Sequence, residues 1–589
     1  MRLASLLALT GLLLAGSASA QTPTQTLNGV LTGTTTLDAN EVYLIDGEVY
    51  VDNGATLTIP AGTVLKGKQT PSNSSEQASV LVVQRGGTIN ATGTASAPII
   101  FTAEADDVTD AFDTNESQRG LWGGVVILGH ATNNRGVRQV EGIAGSDRTR
   151  FGCGDAGFPC DDDDDSGTFR YVSIRHAGFT RTPNEEINGL TLGAVGRGTT
   201  IEYVEVFANS DDSFEFFGGT VNAKYLVGAF GGDDDIDWDQ GYTGKLQFVF
   251  SLKDESGDVG RCIEGDGAAN PFTATPLSAP VVSNLTCVGS GLGSTPGGSD
   301  KGGPALKLRE NTLGFLYNSV FVQFESTAGG IDLEVQPEDD DGNPIGDASI
   351  STAQNFRDGD LDIRNNIFFD FSVGNTAAEV VRRDEPAIEA AVADRNRFVS
   401  PGLLNVVDGP GTFDDARDQD RVLDPRPDAG AAASSGADFT LDRLANDSDS
   451  DDDGRDGAFF RTVTYVGAFA PAPGAVWADD WTALDQMGYL AGLATPIAGG
   501  PAADALDLTV GPNPTRGDAT VRFVLAEAQT VRLALYDALG RQVAVVADGA
   551  FAAGPATARV ETRTLPAGVY VLRLEGEGVA ASRRLSVVR

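Results

Sequence analysis

The sequence IEYVEVFANSDDSFEFFGGT at residues 201–220 is followed by a second version of the same unit, AKYLVGAFGGDDDIDWDQGYT at residues 223–243. Equivalent positions recur 22 residues apart, as Tyr203 and Tyr225 show. Each unit contains two short runs that alternate apolar and polar side chains, joined by an acidic corner that contains glycine. A repeat of this length with this alternation indicates a solenoid of β coils.

Composition limits the classes of partner. The 589-residue chain is 41% hydrophobic, which is enough to bury a large core, and it carries a formal net charge of −41. Such a charge repels nucleic acids and anionic membranes, so neither is expected as a partner. The negative charge indicates a solvated, acidic surface that can bind cations.

The first 20 residues have the features of an export signal. Arg2 precedes an apolar run over residues 3–14, and Ala18-Ser19-Ala20 forms an A-x-A cleavage site. The run is too short to span a membrane, and no other stretch predicts a transmembrane segment. The mature chain is therefore expected to begin at Gln21, outside the cytoplasm, where disulfides are stable.

The four cysteines predict two disulfides. Cys153 and Cys160 flank a short loop, whereas Cys262 and Cys287 are 25 residues apart, close to one repeat, and so are expected to join neighbouring coils. Zinc is the competing interpretation. It is disfavoured because the chain has two histidines and no C-x₂-C pair.

Seven β runs beyond residue 168 can be aligned on one shared position. Aromatic residues occupy it in the earlier coils and asparagines in the later ones, and a stacked asparagine can hydrogen-bond the next coil. The pattern resembles the right-handed parallel β-helix of secreted bacterial proteins, here predicted over residues 21–490 with loop insertions. The shared position holds Tyr171, Tyr203, Tyr225, Phe248, Asn284, Asn318 and Asn365.

The end of this region resembles the closing part of such proteins. A stretch rich in proline, glycine and alanine begins at residue 423, and the motif GAF at residues 467–469 is followed by Trp477 and Trp481. The resemblance implies that these residues form the terminal coil.

The last part of the chain has a different pattern. Residues 491–504 are a linker of small residues. Residues 505–589 alternate at period two between turn signals, which predicts a small immunoglobulin-like β-sandwich. Three ordered motifs, at 511–514 (GPNP), 535–541 (LYDALGR) and 565–570 (LPAGVY), resemble the C-terminal sorting domain of type IX secretion substrates. The resemblance implies export by the type IX machinery, removal of the domain by a sortase, and a location on the outer-membrane surface of a Gram-negative bacterium or outside it.

A second aligned position in the repeat yields a column of side chains that point out of the helix, because side chains alternate along a strand. The next outward column follows two residues later. The first column holds Thr191, Glu215, Asp237, Glu264, Lys307 and Asp332. The second holds Gly193, Phe217, Asp239, Asp266, Arg309 and Glu334.

This column is the candidate site. Glu215, Asp237 and Glu264 would be stacked carboxylates about 4.8 Å apart, and such neighbours favour a shared cation such as calcium. The aspartates at residues 211–212 and 233–235, in the turns that precede these strands, could add ligands. The arrangement resembles that of β-helix polysaccharide lyases, which implies Lys307 or Arg309 as the base or as the group that neutralises the sugar carboxylate.

Two other interpretations stay open. The acidic face can be a solvated surface on which Lys307 and Arg309 merely pair with carboxylates. Alternatively, Asp237 and Asp239 lie two residues apart, near 7 Å at about 3.3 Å per residue, a spacing found in inverting glycosidases. No residue is therefore assigned as catalytic, and Lys307, Arg309 and Asp237 are candidates.

A further calcium motif lies outside the repeats. Asp449, Asp451, Asp453 and Gly454 follow the order D-x-D-x-D-G, which resembles the start of an EF-hand or thrombospondin-type loop. The twelfth position is Phe460, where an EF-hand has glutamate.

The sequence thus predicts a secreted surface protein that binds a glycan or mediates adhesion without catalysis. The alternative is a calcium-dependent polysaccharide lyase or glycosidase. The expected cofactor is calcium, and the expected partners are the type IX machinery, its sortase and an extracellular polysaccharide.

Overall fold

The computed structural model describes most of the chain. The described residues are 21–69, 78–110, 113–182, 185–254, 260–268, 271–294, 303–325, 329–338, 343–382, 385–406, 423–445 and 459–490, followed in the C-terminal part by 509–511, 515, 518–525, 528–537, 542–563, 565–566, 568–576 and 579–587. The predicted export signal, the Asp449–Asp453 motif and the predicted linker at 491–504 lie outside them.

Three parallel sheets wind around one core to form a parallel β-helix. Each coil contributes in turn to sheet 1, to sheet 2 and to sheet 3, and each strand pairs in parallel with its equivalents in the neighbouring coils. The predicted all-β architecture is confirmed over this part of the chain.

The strands of the described residues are grouped by the sheet to which they belong. Five strands lie in sheet 1 alone: Thr34–Thr36, Thr56–Pro60, Thr88–Thr92, Gly314–Tyr317 and Leu361–Arg364. Four lie in sheet 2 alone: Val64–Gly67, Ile99–Ala103, Val320–Phe324 and Ile367–Phe371. Five bend from sheet 1 into sheet 2: Gly167–Arg175, Thr200–Phe207, Asn222–Ala229, Lys245–Leu252 and Val281–Val288. Two bend from sheet 2 into sheet 3: Gln25–Leu31 and Val42–Val51. Eight lie in sheet 3: Val80–Val83, Gly124–Leu128, Leu190–Gly193, Phe214–Phe217, Ile236–Asp239, Ile263–Asp266, Leu306–Arg309 and Ile331–Leu333.

The corner between sheets 1 and 2 explains the shared aromatic and asparagine position. All seven residues there have a left-handed backbone, with φ between 49° and 59°. Asparagine tolerates this conformation, whereas tyrosine and phenylalanine adopt it at a cost. The rings offset that cost by stacking: Tyr203 lies 4.3 Å from Tyr171 and 4.2 Å from Tyr225 between ring centroids. In the later coils the amide of Asn365 donates to Asn318 at 2.7 Å.

The interior of the coils is apolar, and other segments cover parts of the outside. Of the residues at 423–445 and 459–490, Trp481, Leu484 and Phe469 pack on the outer face of sheet 2 in one cluster with residues such as Phe207 and Val227. Leu444 and Phe460 pack on the outer face of sheet 1 with Tyr317. The two ranges contain the 3₁₀ turn Ala432–Ser434 and the short helices Asp442–Ala445 and Ala483–Gln486. Their strand Asp424–Pro427 pairs antiparallel with the preceding strand Leu403–Asn405.

The terminal coil is not where the sequence placed it. The last described coil ends at Ile367–Phe371, and three helices cap it: Thr352–Asp358, Ala377–Val380 and Pro386–Arg395. Residues 459–490, which the resemblance assigned to the terminal coil, contribute no strand to the β-helix among those described. From Val466 onward they lie on sheet 2 instead, because their aromatic side chains complement the apolar outer face of that sheet, and Phe460 packs on sheet 1.

Both predicted disulfides are present. Cys153 pairs with Cys160, and Cys262 pairs with Cys287 with their Cα atoms 6.2 Å apart. Cys262 leads into a strand of sheet 3 and Cys287 lies in the part of the following strand that belongs to sheet 2. The second bridge therefore fastens two adjacent coils through the core.

The C-terminal part forms two antiparallel sheets around a second core. One sheet contains Thr509–Gly511, Ala519–Leu525 and Gly554–Val560, and the other contains Gln542–Phe551, Gln529–Asp537, Gly568–Gly576 and Val579–Val587. Side chains from both sheets, including Phe523, Leu535 and Leu572, are buried together. The arrangement is a β-sandwich, and its relation to immunoglobulin domains stays a prediction, as does the handedness of the β-helix.

Candidate functional site

The predicted column lies on sheet 3 in the predicted register. Thr191 pairs with Glu215, Glu215 with Asp237, Asp237 with Glu264, Glu264 with Lys307, and Lys307 with Asp332, each in the next coil. The residues on either side of each, such as Ile236 and Trp238, are buried in the core of the β-helix. The six side chains therefore point away from the core, as the alternation predicted.

The column is nevertheless largely shielded from solvent. Glu215 is 3% exposed, Glu264 5% and Asp332 1%. At the N-terminal end of sheet 3, residues 140–151, 179–182 and 185–187 cover the outer face. Val140, Ile143 and Phe179 pack there against Val126 and Leu128. Carboxylates buried in this way keep their charge only if a cation or hydrogen-bond donors compensate it.

The first half of the column consists of Thr191, Glu215 and Asp237. Among the described residues, no cationic side chain forms an ion pair with Glu215 or Asp237. Oxygen atoms of Asp212, Glu215 and Asp237 lie within 4.8 Å of one another, and so do those of Asp211, Asp212 and Asp233. Asp212 belongs to both groups and also accepts the backbone N–H of Asp234 at 2.9 Å. We call these five residues the acidic corner.

Burial and mutual repulsion disfavour the charged forms in the acidic corner. Burial raises the pKa of Glu215 well above its ordinary value, and the charges of Asp237 and Asp212 raise it further. Burial likewise raises the pKa of Asp237, followed by the charges of Asp212 and Glu264. Glu215 Oε1 and Asp237 Oδ1 are buried without a hydrogen-bond partner among the described residues. The acidic corner thus presents unsatisfied oxygens to a common space.

The second half of the column is compensated by three cations, which together with Glu264 and Asp266 we call the ion-pair cluster. Glu264 contacts Arg261, Arg309 at 2.6 Å and Lys307 at 3.3 Å. Burial alone would raise the pKa of Glu264, but Arg309, Arg261 and Lys307 outweigh it and lower that pKa to about 2. Arg309 also donates to Asp266 at 2.8 Å.

The two candidate bases, Lys307 and Arg309, are therefore paired with carboxylates. Burial would lower the pKa of Arg309, but Asp266 and Glu264 together raise it above its ordinary value. Lys307 remains partly accessible, with 21% of its side chain exposed beside Glu264. Asp237 lies in the acidic corner and not in the ion-pair cluster.

The neighbouring outward column adds further buried carboxylates. Burial raises the pKa of Asp239 to about 7, with Asp266 as the next contribution. Burial raises the pKa of Glu334 to about 7 even though it accepts the backbone N–H groups of Glu310 and Glu338. Asp239 lies on the same face as Asp237, as the hydrolase interpretation requires.

Two residues that shape the site were not among those predicted from the sequence. Glu141 comes from the segment that covers sheet 3, and it is one of the charges that raise the pKa of Asp211 after burial. Arg261 precedes a strand of sheet 3 and holds Glu264 and, at 3.3 Å, Asp234. Glu141 lies in a segment without a repeat, so no sequence signal marks it. Arg261 directly precedes Cys262 and could have been aligned from the repeat.

One expected ligand serves the fold instead. Asp235 is buried, accepts a hydrogen bond from Ser213 at 3.0 Å, and pairs with the buried Lys253 at 3.1 Å. Its carboxylate is thus compensated by protein groups. None of the described helices is long and apolar enough to cross a membrane.

Two comparisons with known families agree with this architecture. A family model described as a pectate-lyase-like beta helix domain matches residues 29–396, and one described as a secretion system C-terminal sorting domain matches residues 509–588. No curated protein matches the chain. The second match shows that the chain is handled by type IX secretion and that it is a secreted or cell-surface protein, as the C-terminal motifs predicted.

Proposed function

From the premise that this chain belongs to the family of pectate-lyase-like β-helix domains, we propose that it binds an extracellular acidic polysaccharide at the cell surface through calcium, without cleaving it. The observation that carries the proposal is the state of the two basic residues on the candidate face. Lys307 and Arg309 are both held by Glu264, and Arg309 is held by Asp266 as well.

This pairing argues against a lyase mechanism. A base that removes a proton from a sugar ring must first be neutral, and its pKa should lie near the working pH. The carboxylates around Arg309 shift its pKa the opposite way. Both cations also neutralise buried carboxylates, so moving either one toward a substrate would leave a buried charge uncompensated.

The acidic corner supports the calcium part of the proposal. Calcium binds carboxylate oxygens at about 2.4 Å, so one ion can join oxygens up to about 4.8 Å apart. Asp212, Glu215 and Asp237 meet that limit. Glu264, which the sequence included among the ligands, is instead held by three cationic side chains, so we leave it out of the ligand set. The Asp449, Asp451 and Asp453 motif stays a separate calcium proposal.

Calcium would also offset the repulsion between this acidic protein and an acidic polysaccharide. A chain with net charge −41 repels a polyanion. A divalent ion held by the acidic corner can bind protein carboxylates on one side and a sugar carboxylate on the other. The repeating coils, about 4.8 Å apart, present an extended surface that suits a linear polymer.

The test is retention of the mature chain on a panel of acidic and neutral polysaccharides, with and without calcium, while product release is monitored. We expect calcium-dependent retention on an acidic polymer without release of fragments. Asp237→Asn should abolish the retention, and Asp147→Asn, at a side chain that is 90% exposed, should leave it unchanged. Equal retention in calcium and in EDTA would contradict the calcium proposal.

A second candidate is a calcium-dependent lyase or glycosidase. It is favoured by the position of Lys307 and Arg309 on the same face of sheet 3 as the acidic corner. Release of unsaturated ends that is lost in Lys307→Ala with Arg309→Ala would establish the lyase. Release of reducing ends without unsaturation would favour hydrolysis by Asp237 and Asp239.

The sortase step is also a proposal. Fusion of residues 505–589 to a reporter should bring the reporter to the cell surface in a host with the type IX machinery, with loss of the fused domain. A surface reporter that keeps the domain would contradict processing by a sortase.

A further inference from the structure

The two ends of the β-helix differ in how they are closed. At the C-terminal end, three helices cover the last coil and bury Phe356, Ile388 and Val392. At the N-terminal end, the strands Gln25–Leu31 and Thr34–Thr36 each pair on one side only, with Val42–Val51 and Thr56–Pro60. No other described strand covers their outer edges.

This open edge has no charged side chain, although the strand Thr34–Thr36 is short and the first strand has a register shift between Leu27 and Gly29. An exposed strand edge presents unpaired N–H and C=O groups, and proteins normally blunt it with charged residues or proline. Residues 24–37 contain neither, although the chain has 42 basic and 83 acidic residues, and the first charged side chain after Gln21 is Asp38. The edge is therefore uncharged in a strongly acidic protein.

The edge is also sterically accessible. Val30 is 40% exposed, and a Cβ atom added at Gly29 or Gly33 would meet nothing within 4 Å. The side chains that point inward, Leu27 and Leu37, are buried. Among the described residues, an incoming strand would meet backbone groups, uncharged polar side chains and Val30.

We propose that this N-terminal coil is the interface of a head-to-head dimer with a second copy of the chain. Two bodies of charge −41 repel each other over most of their surface, and the neutral coil is a place where they can approach. The unpaired edge of one copy complements the same edge of the other, because two such strands related by a twofold axis run antiparallel and can exchange hydrogen bonds.

The geometry of the coil defines the pairing. A twofold axis perpendicular to the β-helix axis reverses the order of the three sheets in the second copy. Only one sheet can therefore lie opposite the same sheet of the partner, and the other two exchange places. The exposed Val30 lies at the centre of residues 29–31, the part of the first strand that belongs to sheet 3. A twofold axis there places Val30 against Val30 of the second copy. Residues 25–27 in sheet 2 then lie opposite residues 34–36 in sheet 1 of the partner.

Cysteine cross-linking of the full mature chain tests this arrangement, since all four native cysteines are in disulfides. Val30→Cys should form a disulfide-linked dimer under mild oxidation. Thr26→Cys should not cross-link with itself. A mixture of Thr26→Cys and Thr34→Cys should cross-link, because both side chains point away from the core and lie four residues on either side of Val30. Ile345→Cys is the matched control, because Ile345 is an apolar residue that is 55% exposed elsewhere.

Sedimentation provides the second measurement. We expect the wild-type chain to dimerise more strongly as salt is raised, because salt screens the repulsion between the two bodies. Val30→Lys should raise the dissociation constant at least tenfold, and Ile345→Lys should not change it. A monomeric wild-type chain at high salt, or a dimer that persists in Val30→Lys, would overturn the proposal. Self-cross-linking of Thr26→Cys would overturn the placement of the axis.

Discussion

The acidic corner and the ion-pair cluster lie in neighbouring coils of the same sheet, yet they resolve the burial of carboxylates in opposite ways. Glu215 and Glu264 occupy equivalent positions and are 3% and 5% exposed. The pKa of Glu215 is raised well above its ordinary value and that of Glu264 is lowered to about 2. Similar burial therefore does not decide the charge state. The nearby cations decide it.

The largest effect should come from the ion-pair cluster. Glu264→Gln removes the charge that Arg261, Lys307 and Arg309 share, and breaking a buried ion pair in this way typically costs about 3 kcal/mol of unfolding free energy. Urea denaturation measures it. Glu202→Gln, which breaks the exposed pair with Arg170, should cost less than about 1 kcal/mol. Equal losses in both variants would show that burial adds nothing to the cluster.

In the acidic corner, removing a charge should do the opposite when calcium is absent. Asp237→Asn relieves repulsion with Glu215 and Asp212, so we expect the unfolding free energy in EDTA to rise by about 1 kcal/mol. In calcium at a hundredfold excess over its dissociation constant, the wild type should gain about 2.7 kcal/mol. The variant should lose most of that gain.

The readout is the melting temperature of each protein in EDTA and in calcium. Asp147→Asn, at an exposed position, should behave as the wild type does. An unchanged calcium increment in Asp237→Asn would move the ion away from the acidic corner.

The pH dependence should separate Glu264 from Asp239, because their pKa values are shifted in opposite directions. Glu264 has a folded pKa of about 2, below its ordinary 4.5, so its contribution to stability is present above pH 4.5 and is lost as pH falls toward 2. Asp239 has a folded pKa of about 7, above its ordinary 3.8, so its contribution is present below about pH 4 and is lost as pH rises through 7.

We therefore expect the melting temperature in EDTA to fall between about pH 4 and pH 7. Calcium should flatten the part of the decline that Glu215 and Asp237 cause, because a bound ion favours their charged forms. Thermal unfolding in EDTA and in calcium across this range measures it. A melting temperature in EDTA that stays constant over the range would contradict the raised pKa of Asp239.

The smallest effect should come from Lys307. Its side chain is partly exposed and shares Glu264 with Arg261 and Arg309, so Lys307→Met should cost less than about 1 kcal/mol. Denaturation measures the stability and polysaccharide release measures activity. A normal fold that loses the release of unsaturated ends would establish Lys307 as catalytic and contradict the binding proposal.

The repeat predicted much of this comparison. Tyr203 and Tyr225 are aligned by their spacing, and the alignment put Glu215, Asp237 and Glu264 in one column, which the structure confirms. A period of that length specifies the register, because a slip by one residue would bury the acids and expose the apolar residues. The covering segment was not predictable in this way, because Val140 and Glu141 lie in a part of the chain that does not repeat.

What the sequence by itself determined is the coil, the register of the acidic column, both disulfides and the sorting domain, because each depends on local spacing or on an ordered motif. Only the tertiary structure decided that the column is buried, that Arg261 reaches Glu264, and that residues 466–490 lie on sheet 2 and not in a terminal coil. The physical reason is that the protonation of a carboxylate depends on charges within a few ångströms in space, and segments distant along the chain supply those charges.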